Sequence, residues 1–253
     1  MGPGWPERLW IVRHGESAGN VARALARAAR LARLDLAERD VDVPLSERGQ
    51  AQALALGRWF AALPAASRPE VVLTSPYVRT QRTAQLICQA AGLATRAPRR
   101  GVDERLRERE FGVLDRLTGL GIRTLHPDQA ELRRRIGKFY HRPPGGESWC
   151  DVILRLRSVL DSMRLDYAGR RVLIVTHQVA VLCLRYLLES LGEAELLAID
   201  AEGEVANCGV TEYAFDPDAG PTPARLIRYN FVAPLEATGV PITAESDEPA
   251  APR

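Results

Sequence analysis

Two histidines stand out by where they fall in the chain. The apolar run Leu9-Trp10-Ile11-Val12 stops abruptly at Arg13-His14-Gly15-Glu16-Ser17, and Val172-Leu173-Ile174-Val175 stops in the same way at Thr176-His177. A third run, Val71-Val72-Leu73-Thr74, lies between Pro69 and Pro76, with Arg79 just beyond. If each run is a buried strand, these polar residues sit at carboxyl ends, where open α/β sheets hold their ligands. Arg13, Arg79, His14 and His177 then face one crevice. Guanidinium forks match the oxygens of a phosphate dianion. Arginines beside His14 favour its neutral form, and a neutral imidazole is a nucleophile. Attack on phosphorus would give a phosphohistidine, with His177 stabilising the equatorial oxygens of the transferring group. The leaving alkoxide still needs a proton. A buried carboxylic acid could donate it and then serve as base toward water, and Glu108 and Glu110 are the candidates. A metal site would call for further His or carboxylate ligands at short spacing, and none accompanies these histidines, so neither a metal nor a cofactor is expected.

These residues need a scaffold, and the pattern of elements describes one. A chain of 253 residues, 46% of them hydrophobic, suits one sizeable core. Short apolar runs alternating with helical patterns imply an α/β three-layer sandwich, with a mostly parallel central sheet and helices on both faces. Helices are expected over 18–39, from the Ser46 cap to Leu63, over 79–91, 128–139 and 147–167, and over 179–191. Thr211, Tyr213 and Phe215 alternate, as do Ile227, Tyr229 and Phe231, which reads as a hairpin turning through 216–220. Residues 98–146 form a loop-rich helical insertion over the strand ends, a candidate lid. In the first helix Arg23, Arg27, Arg30 and Arg33 make a stripe opposite Val21, Leu25 and Ala32. A solvated face is the expectation, with grip on an acidic substrate as the alternative. His126 and His141 are expected at the surface, His141 toward the pocket mouth. One catalytic domain thus spans 1–234, and the Pro-, Ala- and acid-rich stretch 235–253 reads as a disordered tail.

Composition excludes several classes. A net charge of +2 gives no field that would draw the protein to nucleic acid or a membrane. No run of about 18 apolar residues occurs, and the opening residues lack the regions of a signal peptide, so a cytoplasmic location is expected. Cys88, Cys150, Cys183 and Cys208 form no Cys-x-x-Cys pair, which leaves them as buried small hydrophobes. Lys138 is the only lysine, and Gly137-Lys138 precedes Phe139, so no Walker-type phosphate loop is present. The expected partners are a phosphorylated small molecule and, at most, a second copy of the chain.

Taken together, Arg13-His14-Gly15-Glu16-Ser17 with Asn20, Pro44-Leu45-Ser46-Glu47-Arg48-Gly49, Thr74-Ser75-Pro76 with Arg79-Thr80, Gly146-Glu147-Ser148 and Thr176-His177 resemble the histidine phosphatase superfamily, the phosphoglycerate-mutase-like group. The resemblance spans about residues 9–215. It implies that His14 is the phosphorylated nucleophile and that Arg13, Arg79 and His177 form the phosphate pocket, completed by Asn20 and the backbone at Gln178. The family's Leu-x-Glu-x-x-aromatic-Gly segment is matched by Leu106–Gly112, which selects Glu108 over Glu110 as proton donor. Mutases of the family carry a lysine at the position near Gly119 and tend to have glycine after the second histidine, where this chain has Gln178. Both departures favour a phosphatase over a mutase, and a non-catalytic phosphoryl-binding module is the third reading. The segment 21–40 is longer than the family's usual linker, which bears on substrate access.

Overall fold

The computed structural model describes residues 4–93, 99–216 and 224–245. Among these residues six strands form one sheet: β1 (Arg8–Arg13), β2 (Val71–Thr74), β3 (Arg99–Val102), β4 (Arg171–Thr176), β5 (Val210–Phe215) and β6 (Ala224–Phe231). Their order is β3-β2-β4-β1-β5-β6, and β5 alone runs against the others. The helices are α1 (Ala18–Ala28), α2 (Glu47–Ala62), α3 (Val78–Ala90), α4 (Gly119–Leu125), α5 (Pro127–Tyr140), α6 (Trp149–Asp166), α7 (Gln178–Leu188), α8 (Glu193–Glu202) and α9 (Ala233–Glu236).

The apolar runs are continuous because both faces of the sheet are covered. Leu9, Ile11, Val71, Leu73, Val172 and Ile174 point to one side, into a core shared with Val152 and Leu156 of α6 and Val181 of α7. Trp10, Val12, Val72, Leu173 and Val175 point to the other, against Leu56 and Phe60 of α2 and Ile87 of α3. Each such side chain taken fully out of water contributes about 1.5–3 kcal/mol. This is the three-layer α/β sandwich expected, and it brings the carboxyl ends of β1, β2 and β4 side by side. Local chemistry sets the helix starts. Ser46 caps α2 by accepting from the Gly49 N–H, and Ser148 forms a capping box with Asp151 at α6.

Four features depart from the sequence reading. The first helix ends at Ala28 rather than running to 39, and Arg30 turns the chain with a φ of 53°. Beyond it the backbone bonds the insertion instead of itself: Leu34 N–H donates to Arg116 O and Thr118 N–H to Ala32 O. The helix is also rotated from the expected facing. Asn20, Arg23 and Ala26 are buried while Val21 and Leu25 are exposed, because α1 packs on the polar strand ends rather than on the apolar core. His141 is buried rather than on the surface, with its carbonyl accepting from Arg109. The expected disordered tail is ordered over 235–245: Leu235 is fully buried in the α2–α3 core, and Gln52 Nε2 donates to Pro241 O at 3.0 Å. The rest of that tail, and the hairpin turn beyond Asp216, lie outside the described residues. Helices α4 and α8 and strand β3 carry too little periodicity to be anticipated.

Among the described residues no helix is long and apolar enough to cross a membrane, and no group of three or more His, Cys, Asp or Glu side chains is arranged to hold a metal ion. None of the four cysteines forms a disulfide, and Cys88, Cys183 and Cys208 are buried.

Candidate active site

His14 follows the last residue of β1, and its backbone N–H still bonds Thr176 O at 2.9 Å. The ring is fully buried. Its Nδ1 lies 2.7 Å from Gly15 O. A carbonyl can only accept, so Nδ1 carries the proton and Nε2 presents a lone pair. The other contact agrees: Arg79 Nε donates to His14 Nε2 at 3.2 Å. Both contacts fit an imidazole protonated at Nδ1, with its Nε2 lone pair toward Arg79.

Arg79 sits in the first turn of α3, buried, and is aimed by Asp40. It donates to Asp40 O at 2.6 Å and lies 3.1 Å from Asp40 Oδ1. Its guanidinium also covers the Tyr77 ring at 4.7 Å. Burial pushes the Tyr77 hydroxyl far above its ordinary range, with the Asp40 charge adding and Arg79 opposing, so it stays a neutral wall. His177 occupies the N-cap position of α7, with Nε2 2.8 Å from Ser75 Oγ at the end of β2. Its ring is 5.2 Å from that of His14 and 4.8 Å from Tyr77. Gln178 opens α7, where first-turn N–H groups favour an anion, and its side chain turns away to Glu204. Arg13 is fully buried and donates to Val205 O and Glu245 O. Asn20 closes a capping box with Ser17 at α1 and donates from Nδ2 to Glu245 O at 3.1 Å. Three strand ends and three helix starts thus bring His14, Arg79, His177, Arg13 and Asn20 together, with the start of α7 beside them.

The two carboxylates left open by composition part company in their surroundings. Glu110 is exposed and accepts from Gly112 N–H. Glu108 is 1% exposed and accepts from Arg109 N–H at 2.7 Å. Thr176 Oγ1 donates to Leu106 O at 2.8 Å, which pins this loop to the end of β4. Arg155 of α6 holds it from below, donating to Arg105 O and, at 3.1 Å, to Glu108 O. Glu147 ties the assembly: it accepts from Arg107 at 2.8 Å, from Arg155 at 2.9 and 3.1 Å, and from Glu110 N–H at 3.0 Å. Burial alone would raise the Glu147 pKa, but the bonds and charge of Arg155, helped by Glu110 N–H and Arg107, hold it below the usual carboxylate range.

The Arg-His-Gly-Glu and Ser-Glu-Arg-Gly stretches occur together for a steric reason. A Cβ on Gly49 would lie 2.0 Å from Glu16 O, and one on Gly15 would lie 2.4 Å from Gly49 O. Across this backbone contact Glu16 accepts from Ser46 Oγ at 2.6 Å and Arg48 at 3.1 Å.

Several supporting residues carry no local sequence signal. Asn207 Nδ2 donates to His14 O at 3.1 Å, Thr83 Oγ1 accepts from Gly15 N–H, and Gln52 Oε1 accepts from Glu16 N–H. Asn207 precedes Cys208, whose φ is 56°, so the polar turn entering β5 was the available clue.

A model of the histidine phosphatase superfamily (branch 1) matches residues 9–225. A probable phosphoglycerate mutase of Photorhabdus laumondii is 31% identical over 179 residues, 70% of this chain and 72% of that protein. Among solved structures, a mycobacterial glucosyl-3-phosphoglycerate phosphatase, with vanadate, superposes with a TM-score of 0.65 at 26% identity, covering 88% of this chain and 99% of that one. Bacillus stearothermophilus YhfR gives a TM-score of 0.69 at 25% identity, with 90% and 98% covered.

Proposed function

This chain belongs to the histidine phosphatase superfamily, and on that premise we propose that it hydrolyses phosphomonoesters through a covalent phosphohistidine on His14. The observation that carries the reading is the buried His14, with Nδ1 on Gly15 O, Nε2 on Arg79 Nε and the His177 ring 5.2 Å away. Arg13, Arg79, Asn20, His177 and the first N–H groups of α7, beginning at Gln178, bind the phosphoryl oxygens and neutralise the charge that builds on them. Nε2 attacks phosphorus as the ester P–O bond breaks. Glu108, as the carboxylic acid, gives its proton to the leaving oxygen, and the alcohol departs. The Glu108 carboxylate then takes a proton from water, whose oxygen attacks phosphorus, breaks the P–N bond and releases inorganic phosphate.

The mutase names among the relatives support a second reading, in which the phosphoryl group returns to substrate. Against it, the position near Gly119 has no lysine and Gln178 follows the second histidine. Rapid mixing with an aryl phosphate should give a burst of phenol and an acid-labile phosphoenzyme, both absent in His14→Ala. Full activity in that variant overturns the mechanism. Activity that appears only with added bisphosphoglycerate, transferring phosphate between sugars rather than to water, favours the mutase.

A further inference from the structure

One residue of the chain sits in the pocket as a substrate would. The Glu245 backbone carbonyl takes N–H donors from Arg13 and Asn20, two members of the phosphate pocket, while its carboxylate Oε1 lies 3.0 Å from an Arg27 nitrogen. The segment that delivers it is anchored by Gln52 Nε2 on Thr243 Oγ1 at 2.9 Å and by Asn207 N–H on Thr243 O at 2.8 Å. Asn20, Arg23 and Arg27 are spaced three and four apart on α1, so one helix face carries the pocket outward from the phosphate donors. Arg23 is buried on that face, donating to Leu117 O at 3.3 Å. Burial, with the Glu204 charge adding, holds the half-buried Glu245 carboxyl above the usual carboxylate range, and the charges of Arg27, Arg23 and Arg13 oppose that rise. Arg23 and Arg27 therefore present cations to an anion located beyond the phosphoryl group.

We propose that Arg27, with Arg23 beside it, is a specificity site for a second negative charge on the substrate, a site that Glu245 fills when no substrate is bound. The inference rests on the phosphatase reading and narrows it: the preferred phosphomonoester bears a carboxylate or second phosphate near the ester. Glu245 sets the span. Between its carbonyl oxygen and its carboxylate oxygen lie C, Cα, Cβ, Cγ and Cδ, so the second anion sits about five atoms from a phosphoryl oxygen, within reach of one charge-assisted bond to Arg27. Binding displaces Glu245 from both ends at once.

Non-hydrolysable ligands test this independently of turnover. Titration calorimetry compares 4-phosphonobutanoate and propane-1,3-bisphosphonate, which reproduce that span with a carboxylate and a phosphonate, against butylphosphonate, which lacks the second charge. The full-length protein should bind the doubly anionic ligands about tenfold tighter, the low end for a charge-assisted bond because the Arg27 side chain is 43% exposed. Arg27→Ala should erase the ratio, and Arg27→Lys should restore part of it. Glu245→Ala, which leaves both arginines in place, should widen it. Which doubly anionic ligand binds better identifies the second group as carboxylate or phosphate. Equal affinities in both the wild type and Glu245→Ala, or a ratio that survives Arg27→Ala, overturn the proposal. Turnover of 4-nitrophenyl phosphate tests the phosphatase reading separately, so failure of one is distinguishable from failure of the other.

Discussion

Glu147 links the stability of this protein to the placement of Glu108, the proposed proton donor, and Glu147→Gln separates the two effects. The carboxylate accepts four N–H bonds, three of them from Arg107 and Arg155 and one from Glu110. An amide in its place keeps one acceptor oxygen and points two N–H donors at donors that are already there. Bonds to charged groups are worth about 1.5–3 kcal/mol each when well buried. Here the Glu147 and Arg155 side chains are 13% and 11% exposed, and Arg107 is 37% exposed, so screening and relaxation reduce the total. A net loss of about 1–3 kcal/mol follows, or ~2–12 °C in Tm for a chain of this size. The pH dependence gives the sharper check. Glu147 has its folded pKa depressed, so its stabilisation is complete above the unfolded value near 4.3 and is lost as pH falls through the lower folded value. Thermal melts should show the gap between wild type and Glu147→Gln at pH 7 and its closure as pH drops below about 4. The same variant loosens Arg155 and with it Glu108 O, so turnover of alkyl phosphates should fall more than that of 4-nitrophenyl phosphate. A stability gap constant from pH 7 into the acid range would refute the electrostatic account. An equal loss on both substrates would refute the link to Glu108.

Glu108→Gln should lower kcat for alkyl phosphates by ~10²- to 10⁴-fold and affect 4-nitrophenyl phosphate least, since that leaving group departs unaided. An equal loss across leaving groups rejects Glu108 as proton donor. Gly49→Ala forces a Cβ against the Glu16 backbone, and the protein should lose at least about 1–3 kcal/mol in denaturant melts, with activity falling further because the His14 turn moves. Wild-type stability in that variant would mean the backbone contact can open at no cost.

The sequence by itself determined every strand but β3, the class of fold and which polar residues stand at the strand ends. Strands buried on both faces must be continuous apolar runs, so β1, β2 and β4 were readable to within a residue, and the polar residues ending them marked the crevice. The Ser46 cap was readable because a cap bonds its own neighbours. The preference for Glu108 over Glu110 came from the family pattern, and the unequal burial of the two is a fact only the tertiary structure shows. What only the tertiary structure decided involves residues far apart in the chain. The bonds from Asn207 to His14 and from Gln52 to the Pro241–Thr243 strap leave no periodic trace, because neither partner's neighbours share the constraint. The first helix shows the limit most clearly. Its composition favoured helix through residue 39 with the arginines outward, but the insertion supplied backbone partners that ended it at Ala28, and the polar strand ends turned Asn20 and Arg23 inward. Helical propensity is local and worth a few tenths of a kcal/mol per residue, whereas buried backbone and arginine bonds to distant segments are each worth more, so the long-range partners prevailed.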